Sequence, residues 1–295
     1  ATEDLLRDAE AALRVAKENH RGSHKSFVET MRGNPTWFLR MRDDLSNALQ
    51  RREFTLEYQP VVSLDHGGIV GFEALLRWQH RERGLILPNE FIPAAEETGV
   101  MANIGYWALA RACRFLAVLQ QCSRNPLWMS INLSTRQLRE PLLVDQLKEA
   151  LAVSGIRPAD LKIDVSESAA MEYSAVGGVF AELTALGVRL NLDDLGKGYS
   201  SLLQLSLMPL DSLKIDRSFI SDSAVQKRNE AVIRSIIALG RALARNVIVV
   251  GIENTEQART LREMGCQYAQ GYLFSRPVDE KSASLLLAKP PHWLS

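Results

Sequence analysis

Acidic and amide residues recur where apolar runs of this chain end. Glu73 stands in GFEALLRW, Asn132 in SINLS, Asp164 and Glu167 in KIDVSES, and Asp193 and Asp194 in LDDLGKG. Lys214 and Asp216 stand in LKID, Glu253 in GIEN, and Gln270 in QGYLF. Gathered in one place, such oxygen ligands describe a site for a hard divalent cation. No His or Cys stands among them, which argues against zinc. Taken singly, each has a plainer role. A lone acid at a strand end is more often a helix cap or a solvated charge, and Asp160 before Leu161 gets only that assignment. Lys214 alone would be a surface lysine, and Asn132 alone would cap the segment that follows. The pair Asp193-Asp194 is harder to dismiss. It follows the apolar VRLNL and precedes Gly196 and Gly198, so two acids leave a buried strand into a tight loop. Adjacent carboxylates repel unless a cation or protons neutralise them.

The elements that must position these residues follow from periodicity. Thr2 to Lys17 has helical spacing, Gly22 and Gly33-Asn34-Pro35 mark breaks, and Trp37 to Arg52 is a second amphipathic helix with Phe38, Met41, Leu45, Ala48 and Leu49 on one side. After Arg52, β-rich runs alternate with helical stretches. The runs are Phe54–Leu64, Ile69–Trp78, Trp128–Leu133, Leu161–Val165, Val188–Leu192, Ser212–Ile215, Val247–Ile252 and Tyr268–Phe274. Helical patterns cover Ile104–Leu119, Leu142–Val153, Val176–Leu186, Glu230–Leu243 and Thr255–Met264. This alternation predicts an α/β fold with a mostly parallel sheet, and eight strands predict a modified (β/α)₈ barrel preceded by N-terminal helices. Asp65-His66-Gly67-Gly68 joins the first two runs as a hairpin, so one strand is expected to run antiparallel. In such a barrel the C-terminal strand ends converge on one mouth.

Bulk properties narrow the partners. The chain has 295 residues, 46% of them hydrophobic, with 35 basic and 35 acidic side chains and zero formal net charge. No bulk field favours duplex nucleic acid or an anionic membrane. Three cysteines without a CxxC point to a reducing compartment, and a cytoplasmic location is expected. No apolar run reaches membrane-span length and no signal peptide is visible. The start at Ala1, in a helical pattern, suggests a piece of a larger protein whose upstream part includes any membrane or sensor segment.

The succession YQP, EALLR, SINLS, LDDLGKGYSS, LKIDRSFI and QGYLFSRP resembles the EAL family of cyclic di-GMP phosphodiesterases, from about Trp37 to the C-terminus. Several motifs in order are more specific than any lone match. The stretch DLLRDAEAALRVAKENHRG resembles the last helix of a GGDEF (diguanylate cyclase) domain. The implied organisation is a GGDEF-type helix over residues 1–30, a linker helix over 31–52 and the EAL domain over 53–290. The resemblance implies cyclic di-GMP as ligand, Mg²⁺ or Mn²⁺ as cofactor, and hydrolysis to linear pGpG. It assigns Glu73, Asn132, Asp164, Asp193 and Asp194 to metal, and Lys214, Glu167 and Gln270 to the catalytic machinery. Within that machinery Glu167 braces the DDLGKG loop. Gln59, Leu75, Arg77, Asp216 and Glu253 go to the ligand. Family partners would be upstream GGDEF and sensor domains and a second copy of the chain.

Three departures stand out. Where the family reads like AEGVET, this chain reads VVGIEN, so Val250 replaces a glutamate of the metal and water centre. Valine has no lone pair. Glu253 lies three residues on and faces the other way on a strand. Asp164 replaces a longer glutamate, and Leu195 and Lys197 alter the DDFGTG loop. These changes predict a cyclic di-GMP receptor with weak or absent hydrolysis. An active phosphodiesterase that tolerates Val250 is the first alternative. A scaffold that binds no nucleotide is the second.

Overall fold

Short β-branched runs separated by amphipathic stretches form the expected alternation in the computed structural model, which describes residues 35–196, 202–221, 226–289 and 293. The expected helix Thr2 to Lys17, and with it the GGDEF-like stretch, lies outside the described residues, as does Lys197. The described part divides into two units. The smaller lies within residues 1–55 and 77–101, the larger within residues 56–76 and 102–295.

The larger unit holds the barrel. Strands β1 (Phe54–Ser63) and β2 (Ile69–His80) enter it together through the predicted hairpin, where the Ser63 N–H donates to the Gly68 carbonyl at 2.9 Å. The strands β4 (Trp128–Leu133), β5 (Leu161–Ser166), β6 (Arg189–Leu195), β7 (Leu210–Ile215), β8 (Asn246–Val250) and β9 (Tyr268–Gln270) follow, parallel from β2 round to β9. β1 pairs with β9 antiparallel and with β2, which closes an eight-stranded ring. The antiparallel member is therefore β1. Residues of β4 to β9 alternate between two apolar or polar faces, as the pleat requires. Met129, Ile131, Ile163, Val165, Leu190, Leu192, Leu213, Val247 and Val249 belong to the apolar core that the helices cover. Ser130, Lys162, Asn191, Ser212 and Lys214 alternate with them and are buried within the ring. No described helix is long and apolar enough to cross a membrane.

The smaller unit contains α1 (Pro35–Ala48), β3 (Gly84–Ile86) and α2 (Pro88–Thr98). β3 extends β2 as an antiparallel ninth strand, pairing Trp78 with Ile86. Phe54, Trp78, His80 and Phe91 form a ring cluster there, and Trp78 Nε1 donates to Glu53 Oε2 at 3.0 Å. Met41, Leu45 and Ala48 of α1 are buried, as their spacing predicted.

Several expected bounds shift. The helix assigned to Trp37–Arg52 ends at Ala48, because residues 49–52 turn back and Arg52 takes φ 56°. The last run, predicted to Phe274, ends at Gln270. At Gly271 the chain passes so close to Ile252 that a Cβ would sit 2.2 Å from its backbone nitrogen, and the Phe274 N–H returns to the Gly271 carbonyl. β3 and α2 had no periodic signal strong enough to announce them. Asp160 is neither cap nor solvated charge. It is buried at 6% exposure, with Arg157 bound to both oxygens and Gln120 to one.

Candidate functional site

The strand ends bring a carboxylate cluster together inside the ring. One oxygen each of Glu73 on β2, Asp164 on β5 and Asp193 on β6 lie within 4.8 Å of one another. Lys214 on β7 reaches all three, with Nζ donating to Glu73 Oε2 at 3.0 Å, Asp164 Oδ2 at 2.7 Å and Asp193 Oδ2 at 3.2 Å. The second oxygen of each acid is held by an amide. Asn132 Nδ2 donates to Glu73 Oε1 at 2.7 Å, Asn191 Nδ2 to Asp164 Oδ1 at 2.7 Å, and the Asp194 N–H to Asp193 Oδ1 at 2.8 Å. Gln270 Nε2 adds a bond to Glu73 Oε2 and another to Gln59 Oε1.

Local chain features set this arrangement. Between Leu192 and Leu195 the β6–β7 register slips, so that Asp193 and Asp194 together oppose the single Lys214. Such a bulge re-aims side chains at sheet ends. Asp194 sits at φ 59°, a left-handed conformation that a short polar side chain tolerates. Ser134, not Asn132, caps the helix after β4, accepting from the Gln137 N–H, which leaves Asn132 free to bind Glu73. Ser166 caps the helix after β5 and places Glu167 at its start. Glu167 Oε2 then accepts the Gly196 N–H at 3.1 Å, fixing the exit of β6.

Burial and charge pull the acids apart. Burial raises the Asp193 carboxyl, Lys214 opposes this, and Asp164, Glu73 and Asp194 add to it, leaving it pushed up to about 6. Burial also raises Asp164, against Lys214 and with Glu73. At Glu73 burial works upward too, but Lys214 and the bonds from Asn132 and Gln270 outweigh it, and its carboxyl lies below the usual range. Burial alone would lower Lys214; Asp164, Asp193 and Glu73 overcome that and hold it charged.

The remaining expected residues divide. Gln59 is buried and bridges Gln270 and the Ser275 carbonyl. Asp216 is buried, and its Oδ1 accepts the Ser218 N–H in the turn after β7. Leu75 is half-buried on β2. Arg77, 9% exposed, falls in the smaller unit. Glu253 is exposed, its backbone N–H held by Gln257 beside the cap of the helix Thr255–Glu263, so it stands outside the cluster. Val250 ends β8, paired with Gln270 and one strand from Lys214. Asn191 was not singled out. The signal was present, because it sits two residues before Asp193 in VRLNL and so shares its face.

The donors suit a hard cation in kind. They are carboxylate oxygens, with the Asn132 and Gln270 amides beside them, and Gln270 Oε1 is buried with no partner among the described residues. With Glu73 in EALLR on β2, Asn132 on β4, the acids of β5 and β6 and the lysine of β7 in one cluster, the order of motifs is also an order in space. The EAL domain model matches residues 42–277.

The chain belongs to the EAL domain family. It is 39% identical over 276 residues to the bifunctional diguanylate cyclase/cyclic di-GMP phosphodiesterase MucR of Pseudomonas aeruginosa, covering 93% of this chain and 40% of that protein. To the cyclic di-GMP phosphodiesterase NbdA of the same organism it is 37% identical over 277 residues, covering 94% of this chain and 35% of that one. The EAL chain thus spans less than half the length of these curated relatives. The solved MucR phosphodiesterase in complex with c-di-GMP matches with a TM-score of 0.79 at 39% identity, over 83% of this chain and 99% of that one. The FimX EAL domain from Pseudomonas aeruginosa bound to c-di-GMP matches with a TM-score of 0.73 at 27% identity, over 81% and 96%.

Proposed function

We propose that this EAL domain binds cyclic di-GMP and serves as a receptor with weak or absent hydrolysis. The observation that carries this is the end of β8. Val250 lies there opposite Gln270, and Glu253, the nearest acid beyond it, is exposed and outside the cluster. The cage therefore has three carboxylates where the family pattern supplies a fourth. Nucleotide binding draws on other positions, with Arg77, Gln59, Leu75, Asp216 and Glu253 as the contacts by motif. A guanidinium such as Arg77 offers the planar donor fork that suits phosphate. Both solved neighbours named above hold c-di-GMP, which supports the ligand.

Glu73, Asn132, Asp164 and Asp193 would hold Mg²⁺ or Mn²⁺, with Asp194 serving a second ion. A bound ion would polarise the phosphoryl oxygen and acidify an attacking water. Within the chain, Lys214 and Gln270 orient Glu73, and Glu167 braces the loop that carries Asp193. Losing one such carboxylate typically removes a few kcal/mol of transition-state stabilisation, about 3 kcal/mol by analogy with a deleted oxyanion donor. Binding need not fall in proportion. The two activities in the name of the bifunctional relative support placing the chain in a GGDEF–EAL protein; a cytoplasmic location, upstream sensor domains and a second copy as partner belong to the same proposal.

A second reading, an active phosphodiesterase yielding pGpG, is favoured by one observation: Glu73, Asn132, Asp193, Lys214 and Gln270 remain joined in one network. Calorimetric titration of cyclic di-GMP, with and without Mn²⁺, followed by analysis of the nucleotide, separates the two. Metal-independent binding with intact ligand is expected. Metal-dependent turnover to pGpG at the rate of the Val250→Glu variant would replace the receptor by an enzyme, and no heat at all would leave a scaffold.

A further inference from the structure

The cage is built around an ammonium. A lysine has three N–H donors and no acceptor. Lys214 spends all three on three different carboxylates, at 2.7, 3.0 and 3.2 Å, and is 2% exposed. Each carboxylate gives Lys214 one oxygen and keeps the other on a neutral amide N–H, from Asn132, Asn191 or the Asp194 backbone. The three acids are thus turned, each by its own brace, toward one point, and Nζ stands at that point. The distances are those of N–H···O bonds. Mg²⁺ requires oxygens at about 2.0–2.1 Å, so a divalent ion on the same three oxygens needs a tighter cage and cannot share the point with a second positive charge.

We propose that the Lys214 ammonium is the resident cation of this cage and that a divalent ion enters only as the ammonium withdraws. The direction of withdrawal is toward β8, where Lys214 is paired with Ile248 and Val250 lies two residues on, on the same face by the strand alternation. Val250 offers no acceptor there. A carboxylate at that position would draw the ammonium out and open the cage; valine leaves it in place. This rests on the receptor reading and deepens it. Val250 weakens metal loading by stranding the lysine, over and above any ligand lost.

The two explanations differ in what Lys214→Met does. A merely missing ligand predicts that Val250→Glu tightens Mn²⁺ binding and Lys214→Met does not. Competition by the lysine predicts that both tighten it, each by roughly tenfold or more, since removing a competing charge a few ångströms away is worth at least 1.4 kcal/mol. Mn²⁺ binding to the parent and both variants is read by electron paramagnetic resonance of the free ion, without nucleotide or turnover. A folded Lys214→Met protein that binds Mn²⁺ no more tightly than the parent overturns the proposal, as does a parent that already binds as tightly as Val250→Glu. If Lys214→Met is unfolded without metal, millimolar Mn²⁺ must restore its circular dichroism spectrum, because the cage then takes its cation from outside; failure to restore it overturns the proposal too. Metal-free titration of cyclic di-GMP into the parent is run beside these. Its failure would sink the receptor reading and leave the competition result standing.

Discussion

Two lysines lie buried inside the same ring, and they are held in opposite ways. Lys214 faces three carboxylates near the strand C-termini. Lys162, on β5 two residues before Asp164, faces one. Its Nζ bonds Asp211 Oδ2 at 2.7 Å and Ser212 Oγ at 3.3 Å, and lies 4.2 Å from the centre of the Trp128 ring. The lower pair balances charge one to one, with Arg189 3.7 Å from Asp211 at its edge. The upper cluster carries two more negative charges than positive. The electrostatic outcomes differ accordingly. Burial lowers Lys162, only partly opposed by Asp211, whereas three acids hold Lys214 well above its ordinary value. A balanced pair seals the barrel floor. An unbalanced cluster keeps a standing demand for cations, which is what a metal-dependent family needs at its mouth.

The largest test breaks the floor. Asp211→Asn leaves a buried ammonium without its acid, and breaking such a pair typically costs about 3 kcal/mol of stability. Urea unfolding should report a loss of that order, with the Mn²⁺ response of the cage unchanged. A loss below about 1 kcal/mol would mean that Ser212 and Trp128 suffice for Lys162 and that the floor is not an ion pair in any energetic sense.

A smaller effect lies in the pH dependence, where the two ends should have opposite signs. Asp193 is raised to about 6 in the folded protein, from an unfolded value of about 4. The folded state then holds the proton more tightly, so this group's contribution is greatest below pH ~4 and is lost as pH rises to about 6. At Asp211 burial works upward, but Lys162, Ser212 and Arg189 outweigh it and its carboxyl is lowered. Its contribution is present above the unfolded value and is lost as pH falls through the folded one. Against the parent, Asp193→Asn should therefore gain about 1–2 kcal/mol between pH 4 and 6, and Asp211→Asn should lose least at the lowest pH. Thermal unfolding of the three proteins across that range checks both slopes. Parallel slopes would mean that the clusters are not distinct.

The contrast also explains what could be read in the sequence. The mouth was legible because its residues stand at the ends of apolar runs, where a polar side chain has no packing reason to be. Asn132, Asp164, Asp193, Lys214 and Gln270 do so, Glu73 interrupts the longer run of β2, and all six share the network. The floor was not legible. Lys162 and Asp211 begin their strands, where charged residues are ordinary, and only closure of the ring turns them inward. Asn191 lay between these cases, a polar residue inside an apolar strand whose partner is one strand away. Barrel order followed from alternation alone, while β3 escaped because a three-residue strand has too few positions to show a period, and α2 because Pro93 interrupts its helical pattern. The burial of Asp160 was illegible for the same reason as the floor: its partners, Arg157 and Gln120, are set by the chain turn and by a distant helix.

The smallest expected effect tests the edge of the cage. If Glu253 took over the duty that Val250 cannot perform, the charge imbalance at the mouth would be larger than the three acids indicate. The structure places Glu253 past the strand, exposed, with its backbone held by the cap of the following helix. A solvated side chain there has no desolvation to recover and no partner in the cluster whose charge it could balance. Glu253→Gln should change stability by less than about 0.5 kcal/mol, as surface substitutions do, and should leave Mn²⁺ binding by the Val250→Glu variant where it was. Cyclic di-GMP binding is the separate readout, since the motif assigns Glu253 to the ligand. A loss of nucleotide affinity with unchanged Mn²⁺ binding would divide the mouth into a cation part that ends at Val250 and a nucleotide part that begins at Glu253. A loss of Mn²⁺ binding would extend the cage beyond the end of β8 and remove the reason for treating Val250 as its limit.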